Sequence, residues 1–272
     1  MTERRRAARQ RTTAVLASVA STVVVFTLVA WWIGRSQYWP AVQRQFFSWE
    51  DIKASFPDVL RGFWLNMRIW LIAQVFIVVV ALVLAVMRVL HGPLAAPFRV
   101  FAIVYIDALR GVPALLLILL FGFGVPALQL PGLPTGALFW GSVAMVAGYA
   151  AYTAEVFRSG MDAVHESQRM AARALGLSQW QTLRHAVLPQ AVRNVLPALL
   201  NGSVSLQKDV ALLSVIGVRD AVREAQIYTA RTYNYSSLIG AAVLFLLASV
   251  PLARFTDWYA TRDRKRRTQG FS

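Results

Sequence analysis

The chain has 272 residues, of which 57% are hydrophobic and only 15% charged, and it carries a formal net charge of +15. That balance is too apolar for a soluble domain of this length. The basic residues fall between apolar runs, where they meet anionic lipid and set orientation, so a nucleic-acid partner is excluded. With no cysteine, disulfides, thiolate metal sites and cysteine nucleophiles are excluded as well.

The chain opens on RRRAARQR and an apolar run that lasts to Trp31-Trp32, with Tyr38-Trp39 beyond it. Arg5-Arg6 hints at a twin-arginine secretory signal, but the length of the run and its aromatic belt predict an uncleaved first span. Six spans are expected, at 13–34, 63–88, 100–127, 137–158, 190–217 and 237–254, since a run of about 18 apolar residues crosses the hydrocarbon as helix. With the N-terminus inside, 18 of the 28 Lys and Arg fall in inner segments and seven in outer ones, which places both termini in the cytoplasm.

Within the spans, Asp107 and Arg110 are three apart and are expected to pair, as are Glu155 and Arg158. Arg68 sits where its stem can snorkel to the outer surface. Pro113 and Pro197 are expected to kink or interrupt their helices, a break tolerated where freed carbonyls line a cavity. His91, His165 and His185 lack metal-ligand spacing and are expected to be solvated.

After Arg158, polar residues arrive too densely for the fourth span to continue. An Ala-rich helix over 167–175 is expected to stop at Gly176 in the left-handed conformation. Ser178 with Gln181 three residues on is a capping box opening a second short helix to about Val187, and Pro189 suits the first turn of the next helix. Met170, Ala174 and Leu177 form a small apolar stripe beside a basic face. Such a pair either lies on lipid or fills a groove on a soluble protein.

The segment YTAEVFRSG at 152–160, then Ala171-Ala172, Arg173 to Ser178, Trp180-Gln181 and Leu188-Pro189, resembles the permease subunit of polar amino-acid ABC importers. Gly176 and Leu188-Pro189 keep that family's loop spacing, whereas Met170 replaces its glutamate and Ala186 an aliphatic residue. Lys208-Asp209 with Ser214 to Val218, and Arg110 to Pro113, are similar to two further family stretches. The resemblance spans about 60–258. It implies an all-α polytopic membrane bundle of about six transmembrane helices with short cytoplasmic coupling helices, in the cytoplasmic membrane of a prokaryote. By resemblance, Gln168, Met170, Ala171, Ala172, Gly176, Leu177, Ser178, Leu188 and Pro189 couple to an ATPase. The implied partners are a cytoplasmic ABC ATPase dimer carrying ATP-Mg, a second permease copy (identical or similar) and an extracytoplasmic solute-binding protein. The chain itself is expected to need no cofactor. It divides into 1–60 (basic tail, first span, outer loop), 61–258 (transport unit) and 259–272 (basic tail).

In the fifth span, Asn194, Asn201, Ser205 and Lys208 share one helical face and Asp209 flanks it. They are either helix-to-helix glue, with Lys208 paired to an acid, or one wall of a translocation path. No P-loop, G-x-S-x-G or H-E-x-x-H occurs, so catalysis by this chain is not expected. The solute implied is a polar amino acid, with an opine or related zwitterion as the alternative. A secondary transporter or channel independent of any ATPase is the rival function.

Overall fold

A computed structural model describes residues 2–90 and 92–269, with side chains from 17 to 263. His91, expected in a loop, lies outside the described residues. Among those residues there is helix and no strand.

The first helix, α1 (Thr2–Gly34), contains an apolar stretch, Ala17–Gly34, of which none is buried. It is hydrophobic on all sides, which suits lipid rather than a protein core. After it come α2 (Trp39–Phe46) and the 41-residue α3 (Trp49–Val89). Ser48 caps α3 by accepting the Asp51 N–H, and Glu50 and Asp51 complement the macrodipole of its first turn. At 1.5 Å per residue α3 is about 60 Å long, twice the hydrocarbon thickness. One crossing therefore does not use its whole length.

The segment 34–62, expected as an outer loop, is instead largely helical. So is 218–236, also expected outside, which carries α11 (Ala221–Thr232), capped by Asp220 and packed against α3. Asn66 fixes the contact from both sides: its amide donates to Asp220 at 3.0 Å and its oxygen accepts the Ala221 N–H at 3.1 Å. Gly62 permits the approach, since a Cβ there would fall 2.4 Å from the Asp220 carbonyl carbon. Sequence periodicity misses this layer because its helices are short and their partners lie about 150 residues away.

Between these ends lie α4 (Ala96–Gly111) and α5 (Ala114–Leu119), the latter continued by a π-helical stretch (Leu120–Gly124) and α6 (Val125–Ala127). The expected third span is bent by 103° between Gly111 and Ala114, as Pro113 foretold. The central helix is α7 (Ala137–Asp162), packed on α3, α4, α5 and α10 (Leu188–Asp209). Its buried face is built from Gly141, Ala144, Gly148, Ala150, Ala151 and Ala154, small residues that let helices approach closely where lipid gives no hydrophobic drive. One core surrounds Ala85, Ile106, Phe157 and Val195, and a second surrounds Ile77, Ile118, Met145 and Leu213.

Among the described residues four helices are long and apolar enough to cross a membrane, and the bent pair makes a fifth. The expected span 190–217 is α10 followed by a 3-10 segment (Val210–Ile216). At 22 residues α10 is long enough to cross, but its polar face lowers its hydropathy. It runs through Pro197 as one helix. The last helix, α12 (Ser236–Gln269), continues without a stop into the basic tail expected from 259.

Candidate functional site

The surface pair forms as two helical pieces, α8 (Glu166–Ala174) and α9 (Gln179–Thr182). His165 is exposed as expected, yet it also shapes the local fold, because its ring accepts the Ser167 N–H and caps α8. Gly176 closes the helix at φ +81°. Around it the Leu177 N–H reaches the Ala172 carbonyl and the Gly176 N–H that of Arg173, the paired bonds of a left-handed stop. The capping box is complete: Gln181 N–H donates to Ser178 Oγ, and Ser178 N–H donates to Gln181 Oε1.

As expected, α10 begins at Leu188 with Pro189 in its first turn, but no break precedes it. From α9 the chain winds through a π-helical stretch (Leu183–Val187) directly into α10, with right-handed helical torsions across both junctions. Pro189 has no N–H to give the turn before it, and the wider π turn accommodates that loss. On the other side, Arg169 donates to the Met161 carbonyl at 2.6 Å. The pair is thus fastened to two spans, by hydrogen bond to α7 and by continuous helix to α10.

Of the expected coupling residues, Gln168, Met170, Ala171, Gly176, Ser178 and Pro189 are exposed, Leu177 and Leu188 are half-buried, and Ala172 is buried. Beside Met170, Leu175 (82% exposed) and Trp180 (53%) also face outward. They were not among the expected coupling residues. Large apolar side chains grouped at one end of a bundle mark a surface covered by protein or by lipid.

A second polar constellation runs along α7, partly buried and partly exposed. Tyr149, Tyr152, Glu155 and Arg158 recur every three residues along α7. The Tyr149 hydroxyl donates to Asp209 at 2.5 Å, and the Tyr152 hydroxyl donates to the Arg110 carbonyl at 3.1 Å. Glu155 accepts from Arg88 of α3 at 2.6 Å and from Arg158 at 2.6 and 2.8 Å, and the Arg110 guanidinium stands 3.9 Å away. Arg158 continues to Asp162. The expected Glu155–Arg158 pair is therefore present. The expected Asp107–Arg110 pair is not, because Arg110 turns over the Tyr152 ring toward Glu155 while Asp107 stays exposed.

Asp209 and the two tyrosines open on a cavity of about 320 Å³, otherwise lined by apolar residues such as Leu109, Leu117 and Met145. Two irregular backbone segments flank it, the break at Val112-Pro113 and the 3-10 segment after Asp209. Within a membrane such backbone persists where it lines a cavity or is packed in protein. The same tyrosines border a smaller cavity of about 100 Å³ that includes Gln74, Thr153 and Ser203. Tyr149 and Tyr152 therefore form the partition between the two.

Of the expected path residues only Asp209 reaches this cavity. Asn201, Ser205 and Lys208 are exposed on another face of α10, and Asn194 is half-buried further along it. Lys208 has no ion pair among the described residues, so its expected acid is absent. Arg68 places its guanidinium 5.9 Å from the Trp64 ring centre. No group of three metal-ligating side chains occurs among the described residues.

Residues 92–265 match the family described as binding-protein-dependent transport system inner membrane component. The chain is 31% identical over 199 residues to the arginine transport system permease protein ArtQ of Bacillus subtilis, covering 72% of this chain and 89% of that one. It is 32% identical over 191 residues to GlnP of Rickettsia conorii, a permease protein assigned to glutamine transport, covering 70% and 85%. Among solved structures, an amino acid ABC transporter with histidines superposes with a TM-score of 0.68 at 30% identity, covering 76% of this chain and 94% of that one. The inward-facing MetNI methionine ABC transporter, at 18% identity and a TM-score of 0.62, shares the fold.

Proposed function

The chain belongs to the inner-membrane components of binding-protein-dependent transport systems, and from that premise we propose that it is the permease subunit that carries a polar amino acid through the cytoplasmic membrane. It is not the enzyme of the system: ATP-Mg binds and is hydrolysed on a separate ATPase dimer. A second permease copy completes the path, and an extracytoplasmic binding protein delivers the solute to the outer helical layer. Both termini face the cytoplasm. Residues 61–258 form the transport unit, flanked by 1–60 and 259–272.

The observation that carries this reading is the mechanical continuity between surface pair and cavity. The exposed face of α8, with Gln168, Met170, Ala171, Gly176 and Ser178, docks on the ATPase, joined by Leu177, Leu188 and Pro189 at its edge. Ala172, being buried, holds that face in place from behind. When the ATPase dimer closes on ATP, α8 and α9 move with it. Because α9 is one helix with α10, and Arg169 ties α8 to α7, both walls of the cavity must follow.

Within the cavity, the Asp209 carboxylate and the tyrosine hydroxyls suit the ammonium of an amino acid, and Arg110, over the Tyr152 ring, suits its carboxylate. The exposed face of Asn194, Asn201, Ser205 and Lys208 then meets the second copy and forms the polar wall between subunits. The relatives named for arginine and glutamine transport support a polar amino acid as the solute class.

The test is reconstitution in vesicles with the ATPase and binding protein. ATP-dependent uptake of a polar amino acid is expected, and Asp209→Asn is expected to cut uptake at least tenfold while the ATPase still co-purifies. Uptake driven by an ion gradient, with this chain alone, would contradict the reading.

A further inference from the structure

A cavity of about 430 Å³ lies apart from the solute path, where α3 and α7 end and the surface pair begins. Its walls carry four guanidinium groups, Arg88, Arg158, Arg169 and Arg173, with Asp162 and the side chain of Thr182. Three carboxylates answer them: Glu155 takes Arg88 and Arg158, Asp162 takes Arg158, and Glu166 stands 3.8 Å from Arg169. Glu155 is shared with Arg110 as well, so at least one positive charge is left over, and Arg173 is exposed and without an ion pair among the described residues.

The arginines on the walls carry N–H donors and no acceptor, so the site suits something that accepts. The carboxylates on its walls already hold arginines. The missing partner must therefore bring several acceptor oxygens and about one negative charge, which is the chemistry of a phosphate ester.

Position selects the source. The cavity sits where two spans terminate, the depth of lipid headgroups. Apolar residues Leu90, Ile103, Leu183 and Val187 line it beside the arginines, giving a glycerol backbone and the start of its chains a surface to lie on. Basic pockets between spans at this depth are suited to acidic headgroups. We propose that this cavity binds the phosphate of an anionic phospholipid, held by Arg169 and Arg173 from the surface pair and by Arg88 from α3. Such a lipid bridges the surface pair to the span ends, so its occupancy sets how rigidly movement at α8 reaches the bundle.

The test uses the full chain in a non-ionic detergent. Dioctanoyl phosphatidylglycerol, dioctanoyl phosphatidylcholine and inorganic phosphate are titrated separately and binding is read by native mass spectrometry. The phosphatidylglycerol is expected to bind in a 1:1 ratio and at least tenfold more tightly than the choline lipid. Arg173→Gln is expected to weaken it about tenfold and Arg169→Gln about threefold, each variant remaining monodisperse in gel filtration. Equal binding of the two lipids, or unchanged phosphatidylglycerol affinity in both variants, would overturn the proposal. Inorganic phosphate binding as tightly as the lipid would overturn the lipid assignment and make the site one for a soluble phosphate. None of these outcomes depends on transport, so failure here leaves the permease reading standing.

Discussion

Asp220 shows how one side chain sets a pH dependence. Burial pushes its carboxyl above the ordinary carboxylate range, against the opposing pull of the Arg223 N–H and the Asn66 amide. A raised folded pKa means that the folded state holds the proton more tightly. The resulting stabilisation is complete below the unfolded carboxylate pKa and is lost as pH rises through the folded value. The melting temperature is therefore expected to fall over that window, and Asp220→Asn, which keeps an acceptor at the cap, is expected to flatten the slope. An unchanged pH profile in the variant would show that Asp220 is ionised throughout. In the cavity, Tyr149→Phe removes the bond to Asp209 and is expected to change the apparent affinity for solute while the ATPase still co-purifies. Unaltered uptake would make Tyr149 a packing residue. Asp209 was legible in the sequence as an acid at membrane depth, whereas the tyrosines were not. An aromatic residue in an apolar run has the same appearance whether its hydroxyl lines a cavity or merely finds a carbonyl.

Among the elements, α8 and its stop carry the most specific expectations. Gly176 stands at φ +81° with open space around its Cα. Gly176→Ala meets no clash there, yet its backbone is strained by roughly 1 kcal/mol, so ATPase association is expected to weaken a few-fold in pull-down titrations. Ala172→Pro removes a hydrogen bond inside α8 and costs about 3 kcal/mol or more. It is expected to abolish co-purification while membrane insertion persists, and retained co-purification would refute the role given to α8. In the outer layer, Gly62→Ala would drive a Cβ into the backbone at Asp220, and a loss of roughly 1–3 kcal/mol is expected from thermal unfolding. The caps of this region were readable because Ser178, Gln181 and Gly176 act on neighbours within three or four residues. The contact of α11 with α3 and the turn of Arg110 toward Glu155 were not. Each depends on a partner far away in sequence, and Asp107 offered Arg110 a nearer one that tertiary packing overruled.

At the scale of the molecule, the surface pair is joined to the cavity walls through α7 and α10, and in the proposed function the two act as one lever. The apolar spans were plain from composition, but the lever depends on how the helices join. A helix that continues through a π turn transmits displacement, whereas a loop at Leu188-Pro189 would have absorbed it. With no native cysteine in the chain, single cysteines can be placed at will. The most direct test labels Met170→Cys and Leu175→Cys with a maleimide in membranes, with and without the ATPase subunit. The ATPase is expected to protect both positions and to form a cross-link to them whose yield changes when ATP is bound. Equal labelling in its presence and absence, with no cross-link, would contradict the claim that this surface is where the motor takes hold.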